Sequence, residues 1–161
     1  MPHPLLRGLR ATLPVALAVA PFGLAYGAIA AQSMAPWQAL LMSLTVFAGT
    51  AQFIAASMLA SGAAHWTILV TGLLINLRML LMSAALAARL GTAPRWLQFS
   101  IAHLLTDESF AVTMAEYDVR PPHPLFPVGS GLAIFVVWLA STAVGVAAGA
   151  SIPTGRGLQF A

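Results

Sequence analysis

The chain has 161 residues, of which 60% are apolar and 7% charged, with a formal net charge of +3. Soluble domains carry about 25% charged residues, so this chain has too few polar groups to cover a soluble surface. A free cytosolic enzyme, a nucleic-acid binder and a disordered protein are excluded, and an all-α polytopic membrane protein remains. The basic residues are all Arg and stand singly, so they read as topology signals rather than as a nucleic-acid patch. Cys is absent, which removes disulfides and thiolate chemistry.

A helical span needs about 20 apolar residues, and five hydrophobic segments meet that requirement. They cover about 11–32, 38–60, 66–88, 96–115 and 128–152. No linker or shift of composition divides them, so residues 1–161 read as a single transmembrane helical domain. Trp37, Trp66 and Trp96 each stand where a segment begins, the interfacial position for an amphipathic ring.

Segment 1 follows Arg7 and Arg10 and is longer than the roughly 7–15 residues of a signal-peptide core. Pro14 fits its start, and Pro21 inside it predicts a kink. Ala16, Ala20, Gly23, Gly27 and Ala31 recur three or four apart. Ser141, Gly145 and Gly149 do the same in segment 5, the spacing that lets helices pack closely.

Segment 2 reads Phe47-Ala-Gly-Thr-Ala-Gln52 at its centre. A Gly with two hydrogen-bonding side chains at mid-depth suggests a broken or re-entrant helix. The Arg positions support this. With five crossings Arg is distributed evenly between the two faces. With segment 2 re-entering, Arg7, Arg10, Arg89, Arg95 and Arg156 fall inside and only Arg120 falls outside. A break near Gly49 and Thr50 would turn a half-helix N-terminus into the bundle, where it can hold a carboxylate. Gln52 groups with Thr45, Gly49 and Ala56 if the helix is continuous.

Segment 3 carries Asn76 and Arg78, with Arg78 about ten residues from either end. An Arg at that depth costs about 2.5–3.5 kcal/mol on insertion scales, so it needs a partner. Segment 4 supplies Asp107 and Glu108. Read as one helix, it places Ser100, His103 and Asp107 on one face. One acid can pair with Arg78 and leave the other to carry a proton, with His103 as a relay or as a packing residue. His103 and Asp107 supply only half a metal site, and no protease, hydrolase or phosphate-loop motif occurs. Neither an enzyme nor a cofactor is expected.

The stretches from Ser43 to Phe53 and from Ser100 to Phe110 echo each other. They follow Ala35-Pro36-Trp37 and Ala93-Pro94-Arg95-Trp96 respectively. A transporter repeat and a chance match in Ala- and Leu-rich sequence both account for this.

Four motifs occur in order: Pro21-Phe-Gly-Leu-Ala-Tyr-Gly27, Val46-Phe-Ala-Gly-Thr-Ala-Gln-Phe53, Asn76-Leu-Arg78 with Ser83, and Thr106-Asp-Glu-Ser-Phe110. Together they resemble the AzlC family, the large subunit of branched-chain amino-acid exporters of the YgaZ and BrnF type. The resemblance implies a multi-pass protein of the bacterial inner membrane exporting valine, leucine, isoleucine and sometimes methionine, and the Arg positions put its N-terminus on the cytoplasmic side. It also implies a proton gradient as the driving force and a small hydrophobic AzlD-type partner subunit. Family members run further, with apolar helix past the point matching Gln159-Phe160, so this chain reads as a C-terminally truncated gene product, a fragment or a natural short form. In this reading Arg78 or the half-helix end near Gly49 and Thr50 holds the substrate carboxylate. Asp107 or Glu108 meets its ammonium group or carries the proton. The competing expectation is a non-catalytic structural or regulatory subunit whose polar residues only lock helices. An ion channel is a weaker third, because no ring of acids or carbonyl filter motif is present.

Overall fold

A computed structural model describes residues 3–91 and 93–150. Arg156, Gln159-Phe160 and positions 151–152 of segment 5 lie outside these residues. The described chain is all helical: α1 Pro4–Ser33, α2 Pro36–Thr45, α3 Gly49–Ala60, α4 His65–Leu90, α5 Arg95–His103, α6 Asp107–Val119 and α7 Leu125–Ala150.

Length sorts these helices into two kinds. The 30 residues of α1 and the 26 each of α4 and α7 reach about 39–45 Å at 1.5 Å per residue, enough to cross a bilayer core of about 30 Å. By contrast, α2, α3, α5 and α6 have 10, 12, 9 and 13 residues, or about 14–20 Å. Each of these covers about half the core.

The long helices α1 and α7 run parallel. A Cβ added at Gly8 would meet the backbone of Phe126 and Ser130, one at Gly23 would lie 2.7 Å from Ser141 Cβ, and one at Gly27 would strike Thr142 O. Contacts advance along both chains together. A Cβ added at Gly145 would strike Leu24 O, and one at Gly149 would lie 2.8 Å from Ala28 O, so all four sequence-selected glycines sit at this seam. Thr12 and Ser130 share a hydrogen bond of 2.6 Å across it. The first helix begins at Pro4 rather than near Pro14 and runs through both internal prolines. Proline is tolerated at the first helical turn, and the close contacts with α7 keep the following turns helical.

The short helices pair into two hairpins. Gln52 of α3 bonds Ser43 of α2. Further from the turn, Ala55 and Leu59 line a groove with Met42 and Gln38, beside Ser33 at the end of α1 and His65 at the start of α4. The α2–α3 hairpin therefore enters from the end where α1 finishes, turns at 46–48 and returns. Glu116 of α6 pairs with Arg7 at the start of α1, Tyr117 packs on Phe126 at the start of α7, and Asp118 pairs with Arg89 at the end of α4. The α5–α6 hairpin enters from this opposite end and turns at 104–106.

Segment 2 is thus broken and re-entrant, and segment 4, read as one helix, is broken and re-entrant as well. Three helices cross and two hairpins re-enter, which corrects the placement of Arg120. Glu116 lies between Arg7, at 3.2 Å, and Arg120, at 2.8 Å, so both Arg share one face. Arg7, Arg10, Arg89, Arg95 and Arg120 all lie at that end, whereas Met34–Ala35 and residues 61–64 at the other end contain none.

The echoed stretches fall on the two hairpin tips. The units α1–α3 and α4–α6 each consist of a spanning helix and a hairpin, and the two hairpins enter from opposite ends. This order of elements with opposite entry is the arrangement of an inverted-topology repeat.

Candidate functional site

The first tip forms because α2 stops at Thr45, whose hydroxyl turns back to Leu41 O, while Phe47 takes a left-handed φ of 44°. Such a conformation costs an L-residue about 1–2 kcal/mol. Burial of the Phe47 ring and its edge-to-face contact with Phe135, centroids 4.9 Å apart, hold it there. Helix α3 then starts at Gly49 with no side-chain cap, leaving backbone N–H groups of its first turn to whatever occupies the space ahead.

The second tip is capped. Thr106 Oγ1 accepts from Ser109 N, and Ser109 Oγ accepts from Thr106 N. This capping box ends any continuous helix through segment 4 and makes Asp107 and Glu108 the first turn of α6. There the positive end of the helix dipole favours both carboxylates.

The tips meet at the level of Val19, Arg78 and Trp138, near the midpoints of α1, α4 and α7. Between them lies a small cavity of about 70 Å³ whose polar lining is Gly49, Thr50, Arg78, Thr106, Asp107 and Glu108. Arg78 Nη1 is 2.7 Å from Asp107 Oδ2, and its Nη2 donates to Thr50 Oγ1 at 3.3 Å. One guanidinium therefore reaches both hairpins. Both members of the ion pair remain partly open to the cavity, with side chains 41% and 45% exposed. Glu108 has no ion pair among the described residues. Helix-start dipoles, one cation, one paired acid and one unpaired acid are thus gathered at mid-depth.

Three sequence-selected residues lie elsewhere. His103 does not share a helix face with Asp107, because α5 ends at His103 before the Thr106 cap. Its ring stands near Phe47 and Phe135, outside the cavity lining. Gln52 is fully buried behind the tip, donating to Ser43 Oγ at 2.8 Å and accepting from Trp138 Nε1 at 3.2 Å. It does not share a face with Thr45, which belongs to the other arm of the hairpin. Asn76 does not line the cavity, and its buried Oδ1 has no hydrogen-bond partner among the described residues.

Trp138 is the residue that sequence reading passed over. It lines the cavity, and a Cβ added at Gly49 would lie 3.0 Å from its Cη2, so any larger residue there would press on the ring. Its signal was position: the other three Trp begin segments, whereas Trp138 stands at the middle of one, away from the interfacial belt.

Three apolar helices long enough to span, two opposed hairpins and a charged cavity at mid-depth define a polytopic membrane protein with an internal polar site. The chain belongs to the AzlC family, whose profile (AzlC protein) matches residues 14–152. Inner membrane protein YgaZ of Escherichia coli K12 is 25% identical over 154 residues, covering 93% of this chain and 63% of that protein. An uncharacterized membrane protein of Archaeoglobus fulgidus is 28% identical over 156 residues, 96% of this chain and 67% of the relative. One of Helicobacter pylori J99 is 31% identical over 102 residues, 63% of this chain and 44% of the relative. The chain thus spans roughly half to two thirds of the length of these relatives. No solved structure matches it.

Proposed function

We propose that this chain forms the core of the large subunit of a secondary transporter. It exports branched-chain amino acids, with methionine as a further substrate, across the bacterial inner membrane. The observation that carries the reading is the mid-depth cavity where Arg78 touches both hairpin tips beside Asp107 and Glu108. A zwitterion suits that lining. Its carboxylate meets Arg78 or the uncapped start of α3, and its ammonium group meets Glu108 or Asp107. Glu108, without an ion-pair partner among the described residues, is the acid free to exchange a proton with the gradient. The Arg-rich end, where α1 begins, faces the cytoplasm under the positive-inside rule. An AzlD-type hydrophobic subunit is the expected partner.

The test is valine efflux from cells carrying the full complex with Arg78→Ala or Asp107→Asn. Efflux falls at least tenfold in each while the amount of assembled protein is unchanged. Wild-type efflux in both variants would sink the assignment. The close Arg78–Asp107 contact also favours a second reading, a non-catalytic subunit in which this pair only ties α4 to α6. Loss of assembled protein after Arg78→Ala supports that reading.

A further inference from the structure

Beside the central cavity, and sharing Val19, Gly49, Thr50, Glu108 and Trp138 with it, lies a groove of about 380 Å³ between α1 and α3, with apolar walls of Val19, Phe22, Phe53 and Ile54. Gly49, Thr50 and Glu108 stand at its inner end, and Trp138 borders both spaces. The polar groups are therefore gathered where the two spaces share their lining, and the rest of the groove is apolar. The indole between the two is held on several sides. Its ring stacks on Tyr26 with centroids 6.0 Å apart and planes 19° from parallel, and its edge abuts Gly49. Its N–H donates to Gln52, Gln52 donates to Ser43, and Ser43 shares a hydrogen bond of 3.2 Å with Thr142. Gln52 and Thr142 are fully buried, so this chain of bonds is sheltered from competing water. It ties the α2–α3 hairpin to two points one turn apart on α7, Trp138 and Thr142.

We infer that Trp138 is the specificity-determining wall of a side-chain subsite in this groove, and that Gln52 is its positioning residue. The inference rests on the transport reading above. The substrate's amino and carboxyl groups stay at the hairpin tips, and its apolar side chain extends along Trp138 toward Phe53 and Ile54. An indole fixed in one orientation sets the largest side chain admitted. A swinging indole does not. Apolar pockets discriminate by about 10- to 200-fold per methylene, so the loss of this fixed wall is measurable as a change of preference.

The experiment uses the full chain with Trp37, Trp66 and Trp96 replaced by Phe, which leaves Trp138 as the only indole. Leucine, valine, phenylalanine and glycine are titrated while its fluorescence is followed, and uptake of each is measured in proteoliposomes. Leucine and valine shift the emission and glycine does not. Gln52→Leu reduces the preference for leucine over phenylalanine at least tenfold through KM, with kcat for leucine within about threefold. Gln52→Glu, which keeps an acceptor for the indole N–H, restores the preference. Trp138→Phe loses it as Gln52→Leu does. An unchanged preference in Gln52→Leu and Trp138→Phe, with leucine still bound, overturns the inference and leaves the transport reading standing. A parent protein that binds none of the four amino acids overturns both.

Discussion

Arg78 bears on the choice between transport and mere helix locking. Its ion pair with Asp107 is short, but both side chains are more than two-fifths exposed. Ion pairs wetted by water contribute about 0–1 kcal/mol, and a hydrated cavity puts this pair in that class. Its removal should therefore affect stability little, and any loss of efflux reports on function. Thr106 presents the opposite case, since it is buried and its side chain fixes the start of α6. Thr106→Ala should cost about 0.5–2 kcal/mol, the usual range for a lost cap, read as a lowered midpoint of thermal unfolding in detergent. Arg78, Asp107 and Glu108 were legible in the sequence because charge at mid-membrane is conspicuous. Trp138 was not, because a large apolar ring in an apolar segment produces no contrast. The His103 grouping failed because helical periodicity was carried across the Thr106-Asp-Glu-Ser109 stretch, whose Thr and Ser spacing is itself a cap signal.

The seam between α1 and α7 is built from glycines, the hairpins from polar anchors. In the absence of a hydrophobic drive between helices in lipid, close backbone approach supplies much of the association. Gly27→Val puts a side chain where Thr142 O and Val146 N stand, and it should abolish accumulation of folded protein in the membrane. Gly72 in α4 meets nothing within 4 Å. Gly72→Ala there should raise the unfolding midpoint slightly, by up to about 1 kcal/mol in stability. These two substitutions, scored side by side on immunoblots and thermal melts, separate packing glycines from incidental ones. Five apolar stretches were visible from composition alone. Composition could not tell a span from a hairpin of equal length, because segments 2 and 4 turn back inside the protein, one tip closed by the Thr106–Ser109 cap and the other facing the cavity.

Across the whole molecule, two opposed hairpins fix the topology. The chain has no native Cys, so single cysteines introduced at Ala63, Ala93 and His123 report on the faces directly. Ala93 and His123 should label together with an impermeant reagent from one side, and Ala63 from the other. A single re-entrant segment would instead place Ala93 and His123 on opposite faces. The Arg census pointed toward re-entry but reached only one of the two hairpins, because it counted Arg120 as if segment 4 crossed. The contact from Glu116 to both Arg7 and Arg120 supplies the information that a linear count lacks.

The meeting of the two tips at mid-depth also has an electrical consequence. Each hairpin reaches only half-way, so the space between them lies near the midpoint of the membrane voltage. A unit charge crossing the full field changes energy by about 2.3 kcal/mol per 100 mV, and one travelling from either face to this space exchanges about half of that. A zwitterion carries no net charge along the path and gains nothing from the voltage. A proton taken up by a carboxylate at this depth does. If the chain transports as proposed, the hairpin architecture lets the resting potential act on a proton carried to this depth and not on the zwitterion.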